Sequence, residues 1–121
     1  MSLRVLVCGG RNFIDDGGII HNALYSIHVG ERGPISVIIH GGATGADSQG
    51  RIWAQHTEGV KHLPFKPDWH THGRAAGPIR NQRMIDEGNP DLIVAVEGGR
   101  GTADMLRRGK KANIEIMELN K

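Results

Sequence analysis

Gly98-Gly99-Arg100-Gly101-Thr102 is a stretch suited to holding an anion. It follows the apolar run Leu92–Val96 and precedes Ala103–Arg108, which reads as a helix. Glycines let the backbone approach a ligand closely, because no Cβ stands in the way. The first amides of a helix lack intrahelical partners and face outward, where a phosphate accepts them. Thr102 is placed to cap that helix or to give its hydroxyl to the ligand. The same pattern also fits a tight strand-to-helix turn that binds nothing. Repetition argues for more than that, since glycine pairs also follow apolar runs at Gly9-Gly10 and Gly41-Gly42.

Around these turns stand the other residues with chemistry to offer. In Gly9-Gly10-Arg11-x-Phe13 the guanidinium of Arg11 is placed for a bidentate phosphate contact. Phe13 either stacks on a base or packs inside. Gly41, Gly42, Ala43, Gly45 and Ala46 supply small residues and amides beside Asp47, whose carboxylate suits ribose hydroxyls. An acidic residue there is equally favoured by the positive end of the following helix. Gly77, Arg80, Asn81 and Met84 recur at i, i+3, i+4 and i+7, so they share one helix face. An arginine and an asparagine beside a glycine do not build a core, and that face is read as looking at the ligand. A solvated face is the plainer alternative. Trp69, on a loop, suits stacking over a base or plugging a sheet edge. Asp104, in the first turn of the last helix, is favoured by the helix dipole with or without a nearby sugar. Asp68-x-His70-x-His72 has a metal-like spacing, yet it lies in a polar loop without a fixed partner. No metal and no cofactor are expected.

The elements that must position these residues alternate strand and helix. Arg4–Cys8, Ile35–His40, Val60–Phe65, Asp91–Val96 and Ile114–Leu119 read as strands. Helices are expected over about 18–29, capped by Asp15 or Asp16, then 46–56, 75–87 and 102–111. Residues 66–73 read as a loop, flanked by Pro64 and Pro67. Ala46, Gly50, Trp53 and Ala54 share a face, and Gly50 there suggests close packing of helix on sheet. The first, second and fourth strands are near-continuous apolar runs, as in a parallel sheet covered by helices on both faces. The expectation is a single domain over residues 1–121. Its fold class is α/β: a Rossmann-like three-layer sandwich with a mostly parallel sheet of about five strands. In such sheets ligands bind beyond the carboxyl ends of the strands, where every glycine cluster falls.

Composition narrows the function classes. Eighteen of 121 residues are glycine, where average usage gives about eight or nine. The formal net charge of +2 is too mild to argue for duplex DNA and suits a small anionic ligand. A single cysteine, Cys8, excludes an internal disulfide and any multi-cysteine metal site. It reads as a small buried hydrophobe. No apolar run approaches the roughly 20 residues of a membrane span, and the start does not resemble a secretory signal. A cytoplasmic location without membrane association is expected. Gly-x-Gly-x-x-Gly is absent after the first strand, and no Gly-Lys-Ser/Thr follows a glycine cluster. Ordinary dinucleotide dehydrogenases and ATPases are excluded on that ground.

Taken together, Gly9-x-Arg11-x-Phe13, His40-Gly-Gly-Ala-x-Gly-Ala-Asp47, Asp68-Trp69, Gly73-x-Ala-Ala-Gly-Pro-Ile-Arg-Asn81 with Met84, and Gly98-Gly-x-Gly-Thr102 resemble the YspA/cpYpsA-related SLOG family. The resemblance runs nearly end to end. It implies a Rossmannoid fold, a pocket for a nucleotide or nucleotide-derived molecule, and a role as sensor or processor of such a ligand, including in phage-borne systems, where the location would be the host-cell cytoplasm. Related proteins imply a homodimer or larger homo-oligomer. The chain is more distantly similar to the LOG-type phosphoribohydrolases, whose signature is Pro-Gly-Gly-x-Gly-Thr-x-x-Glu with an arginine on the preceding helix. Arg80, Gly98, Gly99, Gly101 and Thr102 match that pattern. Glu97 stands in place of the proline, and Met105 in place of the catalytic glutamate. A thioether cannot do acid–base work.

Three functions follow as expectations. The first is binding of an ADP-ribose-like or nucleoside-phosphate ligand, with Arg11 and Arg80 on phosphates, Asp47 and Asp104 on sugar hydroxyls and Trp69 on the base. The second is hydrolysis of an N-glycosidic bond in a nucleoside 5′-monophosphate or NAD-related ligand, with Asp104 or Asp47 as the catalytic carboxylate and Arg80 as anion clamp. Single-stranded nucleic acid ranks last as a partner, because the chain holds only two Phe, two Trp and one Tyr for stacking.

Overall fold

A computed structural model describes residues 2–14 and 18–119 of the chain. Its sheet contains β1 (Leu3–Cys8), β2 (Ile35–His40), β3 (Lys61–Pro64), β4 (Leu92–Ala95) and β5 (Glu115–Glu118). They lie in the order β3-β2-β1-β4-β5, and every pairing is parallel. The helices are α1 (Ile19–Val29), α2 (Ala46–Gln55), the single turn α3 (Trp69–His72), α4 (Ala76–Asp86) and α5 (Arg100–Lys111). This is the Rossmann-like α/β sandwich expected from the strand–helix alternation, with a wholly parallel sheet.

The apolar runs of the inner strands have a simple cause. Successive side chains of a strand point to opposite faces, and here both faces are covered. Val5 and Val7 of β1 join Ile38 of β2 in one buried cluster with Ile20 and Leu24 of α1 and Trp53 of α2. Leu6 and Cys8 turn the other way, into a cluster with Ile39, Ile93, Met84 and Ile85 of α4, and Met105 of α5. The outer strands β3 and β5 are only four residues long, and both ends of each are exposed. Burial pushes the Cys8 thiol up to about 12, with Asp47 and Glu118 adding to the effect. It serves as a core hydrophobe rather than a nucleophile.

Three local expectations need correction or restriction. Residues 66–73 are not all loop: Trp69–His72 forms a helical turn, continued by a 3₁₀ turn at Gly73–Ala75. The Asp68 carboxylate caps it by accepting from the Thr71 amide at 3.1 Å. Thr102 is not the cap of the last helix. That helix begins two residues earlier at Arg100 behind Gly99, and Thr102 is buried in its first turn. Asp15 and Asp16, the expected caps of α1, lie outside the described residues.

Gly50 does lie where helix and sheet touch. A Cβ on it would come 3.1 Å from Val7 and 3.3 Å from Ile38. Gly50→Val therefore overpacks this contact, and chemical denaturation will show a loss of about 1–3 kcal/mol. Gly101→Ala in α5, whose Cβ meets nothing within 4 Å, will instead gain up to about 1 kcal/mol of helix propensity.

Candidate functional site

The strand order places β1 between β2 and β4, so the chain leaves β1 toward one side and later returns to the other. A crevice opens at such a switch point, beyond the carboxyl ends of the strands. The turns after β1, β2 and β4 meet there. The Gly10 amide donates to the Glu97 carbonyl at 2.9 Å, and the Gly10 carbonyl accepts from the Ala46 amide at 3.2 Å. The Thr44 hydroxyl donates to the Arg11 carbonyl at 3.1 Å. Gly45 has φ of +72° and its Cβ would overlap the Gly10 carbonyl, so only glycine permits this approach.

The meeting turns enclose a cavity of about 790 Å³. Gly9, Gly10, Arg11 and Phe13 line it from the first turn, and Gly41, Ala43 and Asp47 from the second. Arg80, Asn81 and Met84 enter from α4, and Gly98, Gly99, Arg100, Gly101 and Thr102 from the third turn and the start of α5. Gly42, Gly45 and Ala46 support the second turn without lining the cavity, and Gly77 faces Trp69. Trp69 is half exposed on α3 and borders no part of this cavity. Cys8, Asn12, Ile14, Glu97 and Met105 line it too, although the sequence reading assigned none of them to the ligand. Their signal was position alone: each adjoins a glycine turn or sits one helical step from Thr102.

Two neighbouring residues of α4 tie the turns together. Arg80 Nη1 donates to the Gly41 carbonyl at 2.7 Å, while its Nε donates to Asn81 Oδ1 at 3.0 Å. Asn81 Nδ2 reaches the Gly101 carbonyl at 3.1 Å and Asp104 Oδ2 at 3.0 Å. On the other side of Gly41, Asp47 Oδ2 accepts from the Gly41 amide at 2.8 Å and more weakly from Ala43 at 3.4 Å. A Cβ on Gly41 would fall on the Arg80 guanidinium.

The carboxylates differ in their surroundings. Burial raises the Asp47 carboxyl above its ordinary value, and the Ala43 and Gly41 amides with Arg80 and Arg11 offset only part of this. Burial also raises Asp104, but bonds from Arg108 and Asn81 and the charge of Arg107 outweigh it and hold the group below the ordinary value. Asp104 is held at 2.7–3.0 Å by Arg107, Arg108 and Asn81 and does not line the cavity. Burial and Arg11 pull Arg80 down while Asp47 pulls it up; a guanidinium stays charged throughout. Among the described residues no group of three or more His, Cys, Asp or Glu side chains is arranged to hold a metal ion.

A family model described as "YspA, cpYpsA-related SLOG family" matches residues 3–72, more than half of the chain. The chain belongs to this SLOG family. Gene 61 protein of Mycobacterium phage D29 is similar to it, 35% identical over 121 aligned positions that cover 94% of each protein. No solved structure matches. The matched segment holds the first two glycine turns, whereas Arg80 and the Gly98 turn lie beyond it. SLOG membership points to a nucleotide-related binding or processing role. No helix among the described residues is long and apolar enough to cross a membrane.

His40, only 2% exposed, steadies the second turn from below. Its Nδ1 accepts from the Gly42 amide at 3.1 Å, and its Nε2 meets His62 Nδ1 at 3.0 Å. Burial, with help from His62 and Arg51, lowers its pKa from 6.5 to about 4. Between those values the unfolded chain binds a proton that the folded chain refuses, so stability rises with pH across that window. Unfolding measured from pH 4 to 6.5 will show this slope in the native protein and a shallower one in His40→Gln.

Proposed function

We propose that this SLOG domain binds a phosphorylated, nucleotide-derived small molecule at the crevice above β1. The observation that carries the reading is convergence. Three glycine turns and the start of α5 border one cavity, and Arg11, Arg80 and Arg100 face it against Asp47 and Glu97. Unpaired helix amides and guanidinium groups are the partners a phosphate seeks. Asp47 suits the sugar hydroxyls. Trp69 and Asp104 border no part of this cavity and take no role in the reading. The volume lies within the range of about 300–1,000 Å³ usual for small-molecule sites, enough for an ADP-ribose-like ligand or a nucleoside phosphate. The chain would act in the cytoplasm, that of the host cell if it is phage-encoded. Calorimetry with ADP-ribose and AMP tests this. At least one will bind, and Arg11→Met and Arg80→Met will each weaken it by tenfold or more. Arg11 is exposed and its side chain forms no hydrogen bond or ion pair among the described residues, so its variant keeps the fold. Unaltered affinity in both variants would refute the assignment.

One observation favours a second reading, N-glycosidic hydrolysis. Asp47 is a cavity-lining carboxyl that burial holds above its ordinary value despite Arg80 and Arg11, a direction that suits donating a proton to a departing base. Met105, at the position of the LOG glutamate, lines the same cavity and has no proton to give. Mass spectrometry of the bound nucleotide decides. Release of free base by the native protein and not by Asp47→Asn supports hydrolysis; recovery of every bound nucleotide intact removes it.

A further inference from the structure

Against the β5 side of the Gly98 turn lies a second cavity of about 330 Å³. Phe13, Glu97, Gly98, Gly99 and Thr102 border both cavities, so the two adjoin with the Gly98 turn as their shared wall. The chemistry changes across that wall. The larger compartment is bordered by three arginines, the smaller by none. Val96, Ala103, Leu106 and Leu119 give the smaller one apolar sides, and Glu118 stands at its edge with Glu97. The edge is fixed by the sheet. Glu118 pairs with Ala95 across the β4–β5 ladder, and the Leu119 amide donates to the Ala95 carbonyl at 2.8 Å. Both glutamates are exposed, and neither carboxylate forms a hydrogen bond or ion pair among the described residues.

Without a guanidinium and with two carboxylates at its edge, such a place repels a phosphate. A nucleobase fits there, having apolar faces and a polar edge, and it is the part of a nucleotide that must leave the phosphate site. We infer that the base of the rim-bound nucleotide enters this second cleft beside Phe13, where Glu97 and Glu118 select a base whose edge carries N–H donors, guanine before adenine. A carboxylate only accepts hydrogen bonds. Guanine presents N1–H and an amino group side by side, whereas adenine sets an acceptor nitrogen next to its amino group, and that nitrogen faces a carboxylate unfavourably. The inference rests on the reading that the arginine-lined compartment takes phosphate.

The test compares GMP, AMP and ribose 5-phosphate by calorimetry on the native protein and on two variants. Ribose 5-phosphate lacks the base and reports the phosphate compartment alone. In the native protein GMP will bind at least tenfold more tightly than ribose 5-phosphate and more tightly than AMP. Ala103→Phe, on the exposed side of α5, fills the cleft and brings GMP down to the level of ribose 5-phosphate. Glu118→Gln, at an exposed strand end, lowers the GMP-to-AMP affinity ratio by threefold or more. If none of the three ligands binds the native protein, the phosphate reading fails and this inference with it. If ribose 5-phosphate binds as tightly as GMP, or neither variant changes the ratios, the base lies elsewhere while the phosphate reading stands.

Discussion

The backbone of Gly41 is held from two directions by opposite charges. Its amide donates to Asp47 of α2, and its carbonyl accepts from Arg80 of α4. These helices cover opposite faces of the sheet: α2 packs with Val5 and Val7, α4 with Leu6 and Ile39. One residue at the end of β2 therefore ties the two outer layers together across the rim. A buried carboxylate or guanidinium without a partner costs several kcal/mol or forces a change of protonation. Bracketing a single residue lets both remain near the cavity at tolerable cost. A side chain on Gly41 would push the guanidinium aside and so undo the bracket.

From Gly41 the polar connections continue. Arg80 bonds its neighbour Asn81, and Asn81 bonds the Gly101 carbonyl and Asp104. The turns after β2 and β4 belong to strands separated by β1, and α4 bridges that gap with two adjacent side chains. Asp104 closes the far end, itself neutralised by Arg107 and Arg108. A rim assembled in this way is preorganised: amides and guanidinium groups stand in place before any ligand arrives, so little ordering remains to oppose binding.

Much of this was legible in the sequence, for identifiable reasons. Both-face burial writes β1, β2 and β4 as near-continuous apolar runs, and glycine where backbones touch marks the turns between them. Helical spacing put Arg80, Asn81 and Met84 on one face, and all three do line the cavity. What stayed hidden depends on contacts between distant segments. Spacing cannot tell that Asp104 spends its carboxylate on its own helix and on Asn81, or that Gly77 on the same face meets Trp69 instead of the cavity. The α3 turn escaped notice because four residues are too few for periodicity, and its Asp68 cap only gains meaning once the turn exists. Glu97 and Glu118 are 21 positions apart and become neighbours only through the β4–β5 register.

The short outer strands have a consequence of their own. An exposed strand edge is an invitation to pair with another backbone, and proteins blunt it with brevity, charge and proline. Here β3 carries Lys61 and ends at Pro64, which has no amide to donate. On the opposite border, β5 begins and ends with glutamate, and Glu115 is engaged by Arg32 at 3.0 Å. Both borders are thereby finished, and the sheet stops at five strands. Other chains that collide with this domain meet short, charged borders rather than long flat ones, which guards a glycine-rich sequence against stacking into fibres.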